Sequence, residues 1–245
     1  MAKNANEALV VAVDHGSLEG VKAALKAGAE VDFYQPENVR LPPCTPLFIA
    51  CDKGPVDIVR LLLRKGASLV KRGVGGLSPL HSAADAGRTE IVDLLVQHGA
   101  TLDVRDAFKN TPLMTACANN HVDTVRRLIE LGARPDLTDG YKAQRLGIPD
   151  GNFDRCDESI KLIQEAIESK LLRCCNPKCG KPGYRKTLKL CAQCKLTRYC
   201  SRDCQIQHWS VGHKKCCGHD VYSADATDLA LTVGWFRRLK RVFEQ

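Results

Sequence analysis

Residues 78–100 read SPLHSAADAGRTEIVDLLVQHGA, and this stretch decides the fold because it has a counterpart on either side of it. Its opening Ser-Pro-Leu at 78–80 corresponds to Thr-Pro-Leu at 45–47 and at 111–113, each 33 residues away. Each copy has a Gly-Ala pair near its end, at residues 66–67, 99–100 and 132–133. A fixed period of this length indicates an array of structural repeats.

Each copy predicts two short helices joined by a turn. The Ser78 hydroxyl can cap the first helix. Pro79 suits the first helical position, because the amide hydrogen that proline lacks would have no partner within the helix there. The second helix is predicted from an apolar stripe, which in this copy is Ile91, Val92, Leu94 and Leu95. Gly99 then ends this second helix with a left-handed cap.

The repeated pattern resembles the ankyrin repeat over residues 5–140. The copies lie near 7–39, 45–77, 78–110 and 111–143. The first copy lacks the Thr-Pro and precedes the next by 38 residues, which predicts a five-residue insertion in the loop at 33–43. The resemblance implies a mostly α-helical solenoid of paired short helices, with a concave face that binds a protein.

The ankyrin resemblance also implies which positions face a partner. They are Asp52, Lys53, Arg72, Leu77, Asp85, Arg105, Phe108, Asn110 and Asn119. Phe108 is the aromatic residue among them, and it either anchors a partner or packs against its own loop. His81 occupies the histidine of the family's Thr-Pro-Leu-His motif, and we expect it to hydrogen-bond between repeats and not to bind metal.

The repeat pattern decays after residue 140. Residues 141–172 are predicted to be a degenerate capping segment that ends in an amphipathic helix over 158–172. This helix bridges to a cysteine-rich segment. Cys44, Cys51, Cys117 and Cys156, which lie outside that segment, are expected to behave as small buried hydrophobic residues.

Nine of the thirteen cysteines lie between residues 174 and 217, together with one histidine that completes a set of metal ligands. The spacing of Cys191-x2-Cys194 is that of a zinc knuckle. Cys200 and Cys204 share a helix face, and a third pair is His213 with Cys217. The fourth pair joins Cys179 to either Cys174 or Cys175, and Cys216 is the alternative to Cys217. These eight ligands suit two tetrahedral zinc ions, and spacing alone permits sequential or interleaved pairing.

Residues 174–217 resemble a MYND-type zinc finger, with Arg198-Tyr199-Cys200, His208-Trp209 and Gly212-His213 in the family's order. The resemblance implies interleaved zinc sites. One site is Cys174, Cys179, Cys200 and Cys204, and the other is Cys191, Cys194, His213 and Cys217. Four protein ligands on each ion make both zinc ions structural. The resemblance also implies that Gln205 and Trp209 contact a Pro-x-Leu-x-Pro peptide, although Trp209 also suits the core of the finger.

Charge and hydropathy limit the class of protein. Residues 170–245 carry 16 basic and 5 acidic residues, which suits nucleic acid, an acidic partner, or a solvated surface that balances zinc thiolates. No apolar run is long enough to span a membrane, and no secretory signal precedes residue 7. A cytoplasmic or nuclear protein is therefore expected, whose reduced cysteines favour metal over disulfides. Residues 218–245 are predicted to form a basic amphipathic helix, which folds back on its own domain or meets a membrane surface or calmodulin-like partner.

The sequence thus predicts an adaptor or scaffold, with an ankyrin array and a zinc finger that each bind a protein. We expect no enzyme, because repeats occupy the space that a catalytic domain needs. The alternative function is a zinc-dependent, nucleic-acid-associated or transcriptional co-regulator. A ubiquitin-ligase-like protein and a methyltransferase-associated subunit are two further alternatives.

Overall fold

The computed structural model describes residues 2–35, 43–138, 157–169, 171–184, 187–194 and 196–217, and it is mostly helical, as predicted. Helices in the first half come in pairs. The pairs are α1 (Ala2–Asp14) with α2 (Leu18–Lys26), α3 (Pro46–Lys53) with α4 (Val56–Arg64), α5 (Pro79–Asp85) with α6 (Thr89–Gln97), and α7 (Pro112–Ala118) with α8 (Val122–Leu131). Each prediction of a helix pair from the Thr-Pro-Leu copies is confirmed.

Helices α3, α5 and α7 begin where the sequence predicts, at a hydroxyl cap followed by proline. The Thr45 Oγ1 atom accepts the Phe48 N–H at 3.3 Å, and the Ser78 Oγ atom accepts the His81 N–H at 3.3 Å. Thr111 caps α7 in the same way. Each such cap contributes on the order of 1 kcal/mol to helix stability, so three short helices start at fixed positions.

Successive repeats stack so that first helices contact first helices and second helices contact second helices. The core between them repeats at the 33-residue period: Cys51, Ala84 and Cys117 occupy equivalent positions and are 0%, 0% and 2% exposed. Burial raises the pKa of the Cys51 thiol, with the Asp52 charge adding to the effect. The Cys51 thiol therefore remains neutral, and Cys51 and Cys117 both pack as small buried residues.

Second helices α4, α6 and α8 each end at a glycine in the left-handed region. The φ angles of Gly66, Gly99 and Gly132 are +89°, +99° and +105°. Only glycine adopts this conformation without steric cost, because a Cβ atom would crowd the backbone. The period of the sequence thus places three glycines in equivalent positions along one side of the array.

His81 joins two repeats, in the structural role that its position predicts. Its side chain is fully buried, with Nε2 at 3.1 Å from the Asn110 carbonyl oxygen. Its Nδ1 atom lies 2.8 Å from the Ser78 hydroxyl and accepts the Ser78 N–H at 3.2 Å. A neutral imidazole with its proton on Nε2 satisfies all three contacts.

The prediction of a helix over 158–172 is wrong at its C-terminal end. Helix α9 (Asp157–Glu168) packs against α8, and the Ser159 hydroxyl donates to Asn120 Oδ1 at 3.0 Å. Leu171–Arg173 instead forms strand β1, which pairs antiparallel with β2 (Pro182–Tyr184). Pairing with β2 satisfies the backbone groups that a longer helix would have used, so the finger begins as a hairpin.

The finger continues as a second hairpin and a helical segment. Strand β3 (Lys189–Leu190) pairs antiparallel with β4 (Arg198–Tyr199), and helix α10 (Arg202–His208) follows. A π-helical turn at Trp209–His213 then leads into α11 (Lys214–Cys216). The helix that carries Cys204 thus gives way to a π-helical turn at Trp209, and this turn contains His213.

Several predictions lie outside the described residues. They are the helix over 218–245, the ends of the copies at 7–39 and 111–143, most of 141–172, and Cys156. Within the part of the chain that the structure describes, no helix combines the length and apolar character that crossing a membrane requires.

Burial of His81 predicts a pH-dependent stability. Burial lowers the pKa of this folded-state imidazole to about 3, whereas an unfolded histidine titrates near 6.5. As the pH falls, protons therefore bind the unfolded chain before they bind the folded one. The free energy of unfolding of the wild type then decreases progressively below about pH 6.5. Between about pH 6.5 and about pH 5, we expect His81→Gln to gain about 1.5 kcal/mol relative to wild type. Urea unfolding of both proteins measures this, and a difference that is independent of pH would contradict it.

Candidate metal centre

The two hairpins, α10 and the π turn that leads into α11 bring eight ligand side chains into two groups. Cys174 and Cys179 flank the turn between β1 and β2, whereas Cys191 directly follows β3. Cys200 follows β4, and Cys204 lies in the first turn of α10. Strand pairing and the capped helix therefore position thiols that are distant in sequence.

The first group contains the side chains of Cys174, Cys179, Cys200 and Cys204. Their ligand atoms all lie within 4.8 Å of one another. The Sγ atoms of Cys179 and Cys200 are 3.6 Å apart, and those of Cys200 and Cys204 are 3.5 Å apart. The Cys174–Cys179 pair thus meets the Cys200–Cys204 pair, in the interleaved arrangement that the family resemblance implies.

The second group contains the side chains of Cys191, Cys194, His213 and Cys217, again within 4.8 Å of one another. The Sγ atoms of Cys191 and Cys217 are 3.6 Å apart. The Nε2 atom of His213 lies 3.6 Å from the Cys194 Sγ atom, so this nitrogen faces the thiols. Each group therefore contains four protein ligands, the number that fills the tetrahedral coordination of a structural zinc ion.

Both groups fit zinc. A tetrahedral zinc with metal–sulfur bonds of about 2.3 Å has ligand atoms about 3.8 Å apart, close to the spacings of both groups. Every cysteine among the described residues is a free thiol, and sulfur atoms 3.5 Å apart are too distant for a disulfide of about 2 Å. Soft thiol and imidazole donors in fours are the ligand sets that zinc prefers.

Cys175 and Cys216, the alternative ligands of the sequence prediction, belong to neither group. The Cys175 N–H donates to the Arg198 carbonyl at 2.7 Å, and the Arg198 N–H donates to the Cys175 Sγ atom at 3.3 Å. Burial, followed by the Asp103 charge, raises the pKa of the Cys175 thiol to about 12. Cys175 is therefore a neutral residue held beside the ligands, whereas Cys174 points into the first group.

Neighbouring hydrogen bonds favour the thiolate form of the Cys204 ligand. Ser201 caps α10, and its Oγ atom accepts the Cys204 N–H at 3.2 Å. Burial alone raises the pKa of the Cys204 thiol, but hydrogen bonds from the Ser201 hydroxyl and then from neighbouring thiols lower it to about 7. Because the thiolate is the form that binds metal, this cap supports the site.

An aromatic cluster that the sequence did not reveal fills the core of the finger. The Tyr199 side chain is 1% exposed, and its hydroxyl lies 2.9 Å from His208 Nδ1. The His208 and His213 rings stack with centroids 5.1 Å apart, and Trp209 meets His213 edge-on at 5.9 Å. The spacing of Tyr199 and His208 around the ligands is the signal that could have identified them. This cluster fixes the ring orientation of the ligand His213.

The predicted peptide-binding residues share a face of α10 and the turn that follows it. Gln205 and Trp209 are four residues apart and half-buried, and the Trp209 N–H donates to the Gln205 carbonyl. Trp209 also packs against the buried core, so its structural role is present. Ile206, which no sequence motif singled out, lies beside them with 55% of its surface exposed. The exposed isoleucine and the half-buried tryptophan together form an apolar surface on the finger.

Several predicted partner positions of the array serve contacts between repeats. The Asn119 amide donates to Asp85 Oδ1 at 2.8 Å, although both side chains are exposed. The exposed Lys53 forms an ion pair with the half-buried Asp14 at 3.5 Å. The Asp52 carbonyl accepts the Arg88 Nε–H at 3.2 Å, which leaves the exposed Asp52 carboxylate on the surface. These contacts link neighbouring repeats at the surface.

The remaining predicted positions lie on the loops between repeats. Asn110 is half-buried and donates twice to Asp106, so it shapes its own loop. Arg72 donates to the Gly76 carbonyl at 3.3 Å and is half-buried, as is Leu77. Arg105 is exposed, and Phe108 is 43% exposed. These last two offer the array a charged group and an aromatic ring at its loop tips.

Family models match both halves of the chain in this order. The ankyrin repeat model matches residues 44–73, and a model of three ankyrin repeats matches residues 69–139. The MYND finger model matches residues 174–217. The chain is therefore an ankyrin-repeat protein that carries a MYND finger, and such a finger implies zinc binding.

Two similar proteins from Arabidopsis thaliana share short segments with this chain. Ubiquitin carboxyl-terminal hydrolase 19 is 36% identical over 74 residues, which are 30% of this chain and 9% of that protein. Ubiquitin carboxyl-terminal hydrolase 17 is 49% identical over 39 residues, or 16% of this chain and 5% of that protein. Since the chain spans less than a tenth of either relative, the likeness concerns a segment and not a whole enzyme.

The adjacent residues Cys174 and Cys175 provide a matched test of the first ligand. We expect Cys174→Ser to lower the zinc content of the purified protein, because a serine hydroxyl is a poor substitute for a thiolate ligand. Cys175→Ser should retain the wild-type zinc content, since its sulfur lies outside both groups. Metal analysis by plasma emission decides between them. Equal loss from both variants, or loss from Cys175→Ser alone, would contradict this assignment.

Proposed function

We propose that this protein is an intracellular adaptor whose ankyrin array and MYND finger each bind a protein, without catalysing a reaction. The observation that carries the proposal is the pair of closed ligand groups, which leaves the finger no open metal position for substrate. Exposed apolar side chains accompany each module, Ile206 on the finger and Phe108 on the array. Both modules are therefore suited to recognition.

The proposal includes two structural zinc ions per chain, one in each group. A small finger with few large buried side chains gains its folding free energy from metal binding, roughly 10–16 kcal/mol per site in finger peptides. Wild-type protein in the metal analysis described above should accordingly contain two zinc ions. A count of one would restrict the proposal to a single site.

The peptide surface of the finger is proposed to be Gln205, Ile206 and Trp209. A proline-containing peptide of the Pro-x-Leu-x-Pro kind presents apolar side chains from an extended, preformed backbone, which suits an aromatic-lined groove. Ile206 supplies apolar area, while Trp209 supplies the aromatic wall. In this proposal the half-buried Gln205 amide hydrogen-bonds the peptide backbone.

Nucleic-acid binding is the second candidate, and the charge of the finger favours it. Residues 171–217 contain basic residues throughout and a single acidic residue, Asp203. The seven ligand thiolates offset part of this charge, because they carry more negative charge than two zinc ions neutralise. Specific binding to a DNA sequence would support this candidate, whereas weak binding that disappears with salt would leave the adaptor proposal standing.

The peptide surface can be tested with two exposed apolar residues of the same finger. Ile206 and Tyr184 are 55% and 59% exposed, so neither contributes much to stability. We expect Ile206→Ala to weaken binding of a Pro-x-Leu-x-Pro peptide about tenfold, from lost apolar contact. Tyr184→Ala on strand β2 should bind like wild type. Fluorescence anisotropy of a labelled peptide measures both, and equal affinities for all three proteins would exclude this surface.

The adaptor role requires that the two modules hold different partners. We expect Phe108→Ala to lose array partners from an affinity capture and to retain partners of the finger, because truncating an aromatic anchor removes a large contact. Ile206→Ala in the same full-length chain should give the opposite pattern. Quantitative mass spectrometry of the captured proteins reads both outcomes. Loss of the same proteins from both variants would indicate one composite binding site in place of two.

A further inference from the structure

The finger lies against the side of the array where the second helices end. Gly99 and Gly132, two of the three periodic glycines, are in close contact with finger backbone. The third, Gly66, has nothing within 4 Å of the place where a Cβ atom would be. The finger therefore rests on the ends of α6 and α8 and not on the end of α4.

At Gly99 the backbones of the two modules come into close contact. A Cβ atom on Gly99 would overlap the backbone of Gly212 and His213. Conversely, a Cβ atom on Gly212 would overlap the carbonyl oxygen of His98. Glycine is thus needed on both sides of this contact. Because His213 is a ligand of the second group, the contact lies one residue from the metal site.

At Gly132 the contact is made beside the first ligand group. A Cβ atom on Gly132 would lie 3.1 Å from the Arg173 carbonyl oxygen. The Cys175 thiol donates to the Gly132 carbonyl oxygen at 3.7 Å. Its neighbour Cys174 is a ligand, so the extra cysteine links the last described repeat to the first metal site.

The buried cores of the two modules are continuous. Leu131 and Ala133 of the array belong to the same apolar cluster as Cys174, Cys175 and Tyr199 of the finger. A cleft of about 360 Å³ lies at the edge of the contact, between the loop at residues 66–70 and side chains that include Val211, Lys215 and Cys216. The close contact therefore ends near the second repeat and is concentrated on the third and fourth.

We propose that the MYND finger is a zinc-dependent clamp on the third and fourth ankyrin repeats. The segments that touch the array are held by ligands: Cys174 adjoins Cys175, and His213 adjoins Gly212. Without metal, the ligand groups lose the attraction that holds these segments in place, and the clamp is released. Coupling is reciprocal, so a docked array strengthens zinc binding just as zinc stabilises α6 and α8.

Gly99→Ala and Gly66→Ala are a matched pair that tests the clamp in the full-length, zinc-loaded protein. Both substitutions impose the same left-handed strain, with φ of +99° and +89°, at equivalent ends of second helices. Gly99→Ala alone collides with the finger. We expect it to release zinc to a chromogenic chelator about tenfold faster than Gly66→Ala, which should approach the wild-type rate. Equal release rates from the two variants would overturn the clamp.

Hydrogen exchange on wild-type protein provides a second measurement that needs no variant to fold. Removal of zinc by the chelator should lower the protection of α6 and α8 amides about tenfold, while α1 and α2, which are distant in the stack, keep theirs. Metal analysis of the same samples verifies that zinc was present and then removed. Unchanged protection of α6 and α8, a uniform loss across the array, or a protein that never held zinc would each refute the proposal.

Discussion

Neither kind of unit in this chain can bury enough apolar surface to fold by itself, and the structure follows from that constraint. An ankyrin repeat offers two short helices and acquires a core only when a neighbour covers it. The finger has short strands, one short capped helix and a small aromatic cluster around its ligands. The array meets the constraint by repetition and the finger by clustering soft donors around metal sites. At the ends of α6 and α8 the array and the finger also bury apolar surface against each other, in one shared core.

Features that depend on local chemistry could be predicted from the sequence. Thr45, Ser78 and Thr111 cap helices through bonds that span three residues, so their spacing alone predicts where helices begin. The eight ligands follow a spacing that is visible in the chain, and the family resemblance supplied their pairing. Spacing could not decide between Cys174 and Cys175 as the ligand. The two residues are adjacent in the chain, and what separates them is the direction in which each side chain points.

Features that depend on contacts between distant segments could not be predicted. Leu171 looks helical in an apolar stripe, and only its pairing with Tyr184 reveals a strand. Asn119 occupies a family position for partner contact, yet its amide bonds to Asp85 of the preceding repeat. Gly212 stands in the sequence only as part of the family's Gly212-His213 pair, whereas in the structure the His98 carbonyl oxygen of the array comes close to it. In each case the deciding neighbour is at least 13 residues away in the sequence, counted from Leu171 to Tyr184.

The backbone contact between Gly99 and Gly212 has a consequence for the thermodynamics of assembly. Modules joined by a flexible linker explore a large volume, and the effective concentration of one bound partner near the other falls as the linker lengthens. Modules that share a core keep their binding surfaces at a set distance and angle, so a pair of partners that matches this geometry assembles with an avidity that neither module provides alone. A mismatched pair gains nothing, because the two surfaces cannot turn toward each other. By holding the two modules in one fixed arrangement, Gly99 and Gly212 would favour those pairs of partners whose geometry matches it.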